Sequence, residues 1–357
     1  MTETRVKIPD RRPLMEAVIQ YELDRVAESL VAEGKGILAA DESTGTIKKR
    51  FDAIQLESTD DSRGAYRELL FTTERVEDYI SGVILYDETI RQSAADGTPF
   101  SKVLERKGIF PGIKVDSGAK DLAGFPGEKV TEGLDGLRDR LREYRQLGAK
   151  FTKWRAVITI GDRIPSRTCI VANAQALARY AALSQEAGLV PIVEPEVLMD
   201  GDHDIQRCAE VTEASLQAVF TRLHAHGVVL EGCLLKPNMI ISGKRSPVQA
   251  SVSEVAEATV HSLMRTVPSA IPGIVFLSGG QSPEQATQHL NEMNAMGKHP
   301  WELSFSYGRA LQEPVLKTWM GKPANVPAAQ KSFYHRAKCN GAARAGTYTP
   351  ALEAEAV

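Results

Sequence analysis

The 357-residue chain has few cysteines, no long apolar run and almost no net charge. Cys169, Cys208, Cys233 and Cys339 stand apart without a CxxC pair, which favours reduced thiols over disulfides or a cysteine metal site. The apolar runs are of strand length, far short of the roughly 20 residues that cross a bilayer. A formal charge of -3 gives no basic field for nucleic acid, and the N-terminus lacks a signal-peptide core. These absences predict a cytoplasmic protein that binds neither membranes nor nucleic acids.

A polar residue follows each of eight apolar, strand-like runs. These residues are Asp41, Asp87, Lys114, Lys153, Glu194, Lys236, Ser278 and Arg309. Their spacing ranges from 27 residues (Asp87 to Lys114) to 46 residues (Asp41 to Asp87), which suits a repeated βα unit. Eight such units form a (β/α)8 barrel, in which functional side chains lie at the carboxyl ends of the strands. We therefore predict the α/β class and a single TIM-barrel domain over residues 1–357.

Segments outside the eight units extend the barrel at both ends. Apolar residues three or four apart predict a helix over about 14–33, within an N-terminal helical extension of residues 1–35. Those apolar positions are Met15, Ile19, Leu23, Val26 and Leu30. A helical pattern also follows Lys322. Because the last residues are small and acidic, we predict a flexible C-terminal tail from about 335 to 357.

Three lysines occupy strand-like positions, where lysine has no ordinary packing use. At neutral pH a free lysine is protonated and a poor nucleophile. Burial of Lys236 after the run ending VVLEGCLL, with Lys153 as a neighbouring cation, would favour its neutral amine. Such an amine can attack a ketone and form a Schiff base. The alternative is a lysine at a strand end that only extends to solvent. Three lysines in strand-like positions, Lys114 among them, argue against this alternative.

Asp41 and Glu194 are the candidates for proton transfer, since a carboxylate among cations stays ionised and can accept a proton. An N-cap role for Asp41 is equally compatible with the sequence, because Ser43 follows and a helix begins there. Glu194, with Glu196 two residues on, could instead form a salt bridge to a barrel lysine. Both alternatives remain open from the residues alone.

Two segments suit anion binding. Ser278, Gly279 and Gly280 follow the seventh strand, where barrels often bind phosphate, and Arg309 follows the eighth. A second anion site could form at Ser43 to Thr46 with Lys114 nearby. A simple turn is the alternative for each segment. Cations at two places predict an enzyme that handles a phosphorylated carbonyl compound.

Several segments together resemble class I fructose-bisphosphate aldolase, the metal-independent, Schiff-base type. The most specific are GILAADESTGTIKKR, FTKWR, PIVEPEVLMDGDHD, LEGCLLKPN, FLSGGQS and FSYGRALQ, and the resemblance runs from about residue 14 to 350. It implies cleavage of fructose 1,6-bisphosphate to dihydroxyacetone phosphate and glyceraldehyde 3-phosphate in glycolysis and gluconeogenesis. It also implies a cytosolic homotetramer without metal or other cofactor. The alternatives are a Schiff-base aldolase that prefers a related sugar phosphate, and an idle scaffold protein.

The resemblance also implies a role for individual residues. Lys236 matches the Schiff-base lysine, Glu194 the proton shuttle, Asp41 the base at the C4 hydroxyl, and Lys153 the cation that positions both carboxylates. Ser278, Gly279, Gly280 and Arg309 match the C1-phosphate site, and Ser43, Thr46 and Lys114 the C6-phosphate region. Lys49, Arg50, Arg155 and Glu196 match other charged pocket residues.

The end of the chain departs from the family pattern. Many members end in a tyrosine that assists proton transfer, whereas this chain ends in Val357 and its last tyrosine is Tyr348. We therefore expect any contribution of the tail to come from Tyr348.

Overall fold

The computed structural model describes residues 17–355. Their strands are β1 (Gly36–Ala39), β2 (Ile80–Leu85), β3 (Phe110–Lys114), β4 (Ala119–Asp121), β5 (Lys129–Thr131), β6 (Phe151–Ile158), β7 (Val190–Val197), β8 (Leu234–Leu235), β9 (Gly273–Phe276) and β10 (Glu302–Tyr307). β4 and β5 form a separate antiparallel hairpin. The other eight strands pair in parallel in chain order, and β10 closes the barrel against β1.

Helices precede β1, connect the barrel strands and follow β10. They are α1 (Ala17–Leu30), α2 (Thr44–Asp52), α3 (Asp60–Phe71), α4 (Asp87–Arg91), α5 (Phe100–Arg106), α6 (Leu137–Gln146), α7 (Arg167–Glu186), α8 (Ile205–Ala225), α9 (Val252–Thr266), α10 (Pro283–Ala295), α11 (Arg309–Trp319), α12 (Val326–Arg344) and α13 (Pro350–Glu353). The predicted (β/α)8 TIM barrel is confirmed. None of the helices within residues 17–355 has the length and apolarity needed to span a bilayer.

The inward faces of the strands change from apolar to charged along the barrel axis. Side chains two apart in a strand share a face. On β6 the buried Phe151 is followed by Lys153, and on β7 Ile192 is followed by Glu194. Phe151 and Ile192 belong to an apolar cluster inside the barrel. The interior is therefore apolar towards the amino-terminal ends of the strands and charged towards their carboxyl ends.

Helix α1 closes the amino-terminal end of the barrel. Leu23, Val26 and Leu30 are buried in the same cluster as Phe151 and Ile192. The helix approaches the strands so closely that a methyl group on Gly82 would come within 2.6 Å of Leu30, and one on Gly232 within 2.8 Å of Leu23. The predicted helix therefore covers the apolar end of the barrel interior, below the charged layer. Residues 14–16 of the prediction, Met15 included, lie outside the described residues.

The C-terminal segment is more regular than the sequence suggests. The predicted tail boundary near 335 falls inside α12, which continues to Arg344 and buries Phe333, Ala337 and Cys339. Arg344 donates to the carbonyl oxygen of Val31 (2.9 Å). The helical pattern predicted after Lys322 corresponds to α12. Gly341 allows the helix to pack closely, because a methyl group there would come within 2.6 Å of Tyr79.

Gly112 in β3 should be required for packing of the barrel interior. A methyl group there would overlap the Phe151 ring. We expect Gly112→Ala to lower the free energy of unfolding by roughly 1–3 kcal/mol through overpacking, as measured by urea denaturation at fixed protein concentration.

Gly64→Ala is the matched control for that change. Gly64 lies in α3, and its added methyl group would meet its nearest atom at 3.8 Å. Alanine favours helix over glycine, so the stability should be unchanged or slightly higher. Equal losses in the two variants would contradict the overpacking argument.

Candidate active site

The carboxyl ends of the barrel strands surround a cavity of about 480 Å³. The sequence-predicted residues that line it are Asp41, Ser43, Thr46, Arg50, Lys114, Lys153, Arg155, Glu194, Glu196, Lys236, Ser278, Gly279 and Arg309. Lys49, Gly280 and Tyr348 are not part of this lining. Asp87 follows β2 as predicted, but it pairs with Arg91 and accepts a hydrogen bond from Tyr144 away from the cavity.

Four ionisable groups meet at the bottom of the cavity. Lys153 Nζ lies 2.6 Å from Asp41 Oδ2 and 3.2 Å from Glu194 Oε2. The other oxygen of Glu194, Oε1, lies 3.3 Å from Lys236 Nζ. Lys153, Glu194 and Lys236 are each 3% exposed. Lys153 is thus shared by two carboxylates, and Glu194 bridges two lysines.

The parallel register brings these side chains together. Lys153 lies opposite Ile192 of β7, which lies opposite Leu234 of β8. Glu194 lies two residues after Ile192, and Lys236 lies two residues after Leu234. Both side chains therefore point into the barrel, as Lys153 does. The backbone N–H of Lys236 donates to the carbonyl oxygen of Val193 (2.8 Å), which continues the pairing beyond β8.

Burial and mutual charge set the protonation of this cluster. Burial lowers the pKa of Lys236 and neighbouring Lys153 lowers it further, against the opposing pull of Glu194 and Asp41. Burial by itself would raise the pKa of Asp41 and Glu194, but the lysines outweigh it and hold both below their usual range. The carboxylates likewise overcome burial and raise the pKa of Lys153. Of the two lysines in the cluster, Lys236 is therefore the one that loses its proton more readily.

The N-cap alternative for Asp41 does not hold. Helix α2 begins at Thr44 with Ser43 in the N-cap position, whereas Asp41 pairs with Lys153. The Ser43 and Thr46 hydroxyls lie 3.1 Å apart near the cavity mouth. Lys49, from the same helix, is exposed.

Glu42 is a cavity residue that sequence reasoning missed. Its carboxylate forms ion pairs with Arg50 and with the buried Arg67 (2.6 Å), and it accepts a hydrogen bond from Gln312 Nε2 (2.9 Å). Gln312 also donates to the carbonyl oxygen of Ala39 (2.7 Å), at the end of β1. Glu42 thereby fixes both Arg50 and the segment that carries Asp41. Its position directly after Asp41, at the end of the first strand, was the feature of the sequence that could have identified it as a cavity residue.

Asp116 was also missed, although it follows Lys114 by two residues. It accepts hydrogen bonds from Lys114 Nζ and from the backbone N–H groups of Gly118 (3.0 Å) and Arg155 (3.2 Å). Asp116 therefore positions Lys114 between β3 and β6. Arg155 in turn forms an ion pair with Glu196.

The opposite rim of the cavity contains the predicted glycine-rich anion site. Arg309, exposed at the start of α11, donates to the carbonyl oxygen of Gly279 (3.0 Å). Gly279 has φ +61°, a conformation that favours glycine. The N–H of Gly280 donates to the carbonyl oxygen of Ser278 (2.8 Å), so it is used within the turn. Ser278, Gly279 and Arg309 therefore meet at the cavity, and Gly280 lies behind them.

Comparison with known proteins identifies the family. The family model for class I fructose-bisphosphate aldolase matches residues 22–357. A probable class 1 fructose-bisphosphate aldolase from Xanthomonas campestris is 62% identical over 328 residues, 92% of this chain and 98% of the relative. A non-muscle-type fructose-bisphosphate aldolase from Lethenteron camtschaticum is 55% identical over 332 residues, 92% of this chain and 91% of its own.

The chain belongs to the class I fructose-bisphosphate aldolase family. A solved structure of the Plasmodium falciparum aldolase, in complex with TRAP and a small-molecule inhibitor, has a TM-score of 0.93 at 50% identity and covers 94% of this chain and 97% of its own. The predicted family and activity are confirmed: this aldolase is a carbon–carbon lyase acting on fructose 1,6-bisphosphate.

The C-terminal segment of this aldolase holds Tyr348 outside the cavity. Tyr348 is 7% exposed, its hydroxyl donates to Glu353 Oε2 (2.7 Å), and its backbone N–H donates to Asn291 Oδ1 (2.9 Å). Burial, followed by the Glu353 hydrogen bond, raises the pKa of this phenol. In this structure Tyr348 therefore lies away from the cavity residues to whose proton transfer the sequence analysis expected it to contribute.

Glu42 should contribute strongly to the stability of this aldolase. Glu42→Gln would leave Arg67, only 2% exposed, without its carboxylate partner. Removing one partner of a buried pair typically costs about 3–5 kcal/mol, and we expect a loss near the lower bound because glutamine still accepts a hydrogen bond. The midpoint of urea denaturation measures this loss.

Glu313→Gln provides the comparison, because Glu313 pairs with Lys317 on the exposed face of α11. Its loss should change stability by less than about 0.5 kcal/mol. If both variants were equally stable, Glu42 would not have the anchoring role inferred from its contacts.

Proposed function

We propose that Lys236 forms a Schiff base with the C2 carbonyl of fructose 1,6-bisphosphate and that cleavage proceeds without a metal or other cofactor. The observation that carries this proposal is the buried Lys236 amine, 3.3 Å from a glutamate that shares Lys153 with Asp41. The products are dihydroxyacetone phosphate and glyceraldehyde 3-phosphate.

The surroundings of the three cavity lysines favour Lys236 as the nucleophile. Attack on a carbonyl requires the neutral amine, and burial lowers the pKa of Lys236. The pKa of Lys153 is instead raised by its carboxylate partners. Lys114 is paired with Asp116 and lies closer to the rim. Lys153 and Lys114 are therefore better suited to hold negative charge.

Glu194 is suited to move protons during Schiff-base formation. Attack by Lys236 forms a carbinolamine, which must transfer a proton from nitrogen and lose its hydroxyl group as water. Glu194 Oε1 is 3.3 Å from the lysine nitrogen, so the carboxylate can take a proton from nitrogen and give one to the departing hydroxyl. The product is an iminium ion.

Asp41 is suited to start the cleavage step. Its ionised carboxylate removes the proton from the C4 hydroxyl, the C3–C4 bond breaks, and glyceraldehyde 3-phosphate leaves. The electron pair of that bond passes to the iminium, which becomes an enamine. Lys153 holds Asp41 and Glu194 in place between these steps. Protonation of the enamine at C3 and hydrolysis then release dihydroxyacetone phosphate and free Lys236.

Cations at both rims suit a substrate with a phosphate at each end. Ser278, Gly279 and Arg309 would bind the C1 phosphate, with Gly280 shaping the turn behind them. Ser43, Thr46 and Lys114 would bind the C6 phosphate. The remaining charged residues carried over from the family are Lys49, Arg50, Arg155 and Glu196. Any contribution of Tyr348 requires the C-terminal segment to leave the position described here.

The family also supports a cellular setting for this activity. We infer a cytoplasmic enzyme of glycolysis and gluconeogenesis that assembles as a homotetramer. Family membership supports each of these statements, and sedimentation analysis tests the last.

Reductive trapping tests the assignment of Lys236. Dihydroxyacetone phosphate with borohydride should inactivate the enzyme irreversibly and add one substrate-derived group to the peptide containing Lys236, as read by mass spectrometry. Lys236→Met should take up no label. A label on Lys114 or Lys153 in the wild-type enzyme would refute the assignment.

Lys153 should set the pH range of this trapping reaction. In Lys153→Met, Lys236 loses a neighbouring cation and becomes the main partner of two carboxylates, so its pKa rises. A higher pKa leaves less neutral amine at a given pH. The acidic limb of the inactivation rate should therefore move to higher pH by roughly one unit or more.

Lys317→Met is the control for this pH shift, because Lys317 pairs with Glu313 on the surface. Its pH profile should match that of the wild type. An unshifted acidic limb in Lys153→Met would show that Lys153 does not control the charge of Lys236.

A further inference from the structure

We propose that His335, Cys339 and Glu353 form a zinc-binding site that fastens the C-terminal segment to helix α12. Within residues 17–355, this is the group of three histidine, cysteine or carboxylate side chains whose ligand atoms all lie within 4.8 Å of one another. None of the three lines the aldol cavity. The proposal is therefore independent of the proposed mechanism.

The geometry of the histidine and cysteine suits tetrahedral zinc. Cys339 Sγ lies 3.6 Å from His335 Nε2. Zinc binds sulfur at about 2.3 Å and nitrogen at about 2.0 Å, and a tetrahedral angle between those bonds separates the two ligand atoms by roughly 3.5 Å. The observed separation therefore needs little adjustment when a metal replaces the weak S–H···N contact.

The chain brings the third ligand from a different element. His335 and Cys339 are four residues apart on α12, so they share one face of the helix. Glu353 comes from α13, which follows a reversal at Gly346 (φ +68°) and is capped by Thr349. A metal bound by all three would therefore tie the last described helix to α12.

Neighbouring groups already hold Glu353 in place. Its carboxylate accepts a hydrogen bond from the Tyr348 hydroxyl (2.7 Å) and forms an ion pair with Arg336. Metal-binding carboxylates are usually supported by such outer hydrogen bonds. Arg336 also donates to Thr287 Oγ1 (2.6 Å) and to the carbonyl oxygen of Pro283 (3.2 Å). It keeps those partners when a Glu353 oxygen turns towards a metal.

The charges of the proposed ligands balance the metal. Zinc binds cysteine as the thiolate, so the S–H bond breaks, a Zn–S bond forms and one proton passes to solvent without any redox change. The thiolate and the Glu353 carboxylate carry two negative charges against those of Zn²⁺, with His335 as a neutral ligand and Arg336 remaining beside the site as a further cation. Because zinc displaces the proton of the Cys339 thiol, its binding should tighten as the pH rises.

The site has access to solvent through its histidine. His335 is half-buried and lines a surface groove together with Tyr334, Lys338 and Glu355. Three protein ligands leave one tetrahedral position for water, and the groove supplies space for it. Cys339 itself is fully buried, so a large thiol reagent should reach it more slowly than a metal ion does.

Metal titration of the full-length enzyme tests the proposal. EDTA-treated protein, freed of chelator, should bind one zinc ion per chain in competition with a chromophoric chelator. Cobalt should bind at the same site and give a cobalt–thiolate charge-transfer absorption. Cys339→Ser should lose that absorption and weaken zinc binding by more than about 100-fold, and His335→Gln should weaken it comparably. Tyr348→Phe, which removes an outer hydrogen bond, should cost roughly tenfold.

Cys208→Ser is the matched control, because Cys208 is equally buried but belongs to α8. It should bind zinc and cobalt like the wild type. Circular dichroism identifies variants that fail to fold, and His335→Gln, at a half-buried position, maintains the test if Cys339→Ser does not fold. Wild-type protein that binds no zinc, or equal binding in wild type and His335→Gln, would overturn the proposal.

Aldol cleavage separates this proposal from the proposed mechanism. Removal of zinc should loosen the C-terminal segment, detected as faster proteolysis after Thr347, while fructose 1,6-bisphosphate cleavage continues in EDTA. Loss of cleavage in EDTA would refute metal-independent chemistry, whereas the stoichiometry and cobalt spectrum would still decide the zinc site.

Discussion

The structure depends on keeping four ionisable groups together in a place with little water. An isolated charge buried in a protein costs several kcal/mol, so Asp41, Lys153, Glu194 and Lys236 are tolerable only as a set. Lys153 is the common partner, at 2.6 Å from one carboxylate and 3.2 Å from the other. Glu194 contacts Lys153 through one carboxylate oxygen and Lys236 through the other. The same arrangement that makes the charges tolerable makes Lys236 the one whose proton is most easily lost.

The rest of the barrel excludes water from the four ionisable groups, and their pKa values depend on this exclusion. Beneath the charged layer, Phe151, Ile192 and Leu234 fill the interior, and α1 covers the amino-terminal end with Leu23 and Leu30. The cluster therefore meets solvent mainly through the cavity above it. Because burial is the largest influence lowering the pKa of Lys236, a helix that contributes no lining residue to the cavity still affects its chemistry.

Much of the fold and the central site could be predicted because both follow from local patterns. Polar residues after apolar runs predicted the barrel and placed Lys153, Glu194 and Lys236 together at the carboxyl ends of its strands. Glu42 was missed because the fold alone brings its partners Arg67 and Gln312 close. Asp116 was missed although Lys114 is near in sequence, because its contact with the backbone N–H of Arg155 forms only where β3 lies beside β6. The helical pattern after Lys322 predicted α12, but the boundary of the tail near 335 was placed inside that helix. The cluster on α12 was missed because Glu353 reaches His335 and Cys339 only after the chain reverses.

The two rims of the cavity differ in what an entering phosphate must displace. Arg50, Lys114 and Arg155 are each paired with a carboxylate, namely Glu42, Asp116 and Glu196. A phosphate at that rim must compete with these carboxylates for each cation. Arg309 instead donates to the uncharged carbonyl oxygen of Gly279, a weaker partner than a carboxylate. On the proposed orientation, the C1 phosphate needs to displace only the Gly279 carbonyl oxygen from Arg309, whereas the C6 phosphate must displace carboxylates from their cations.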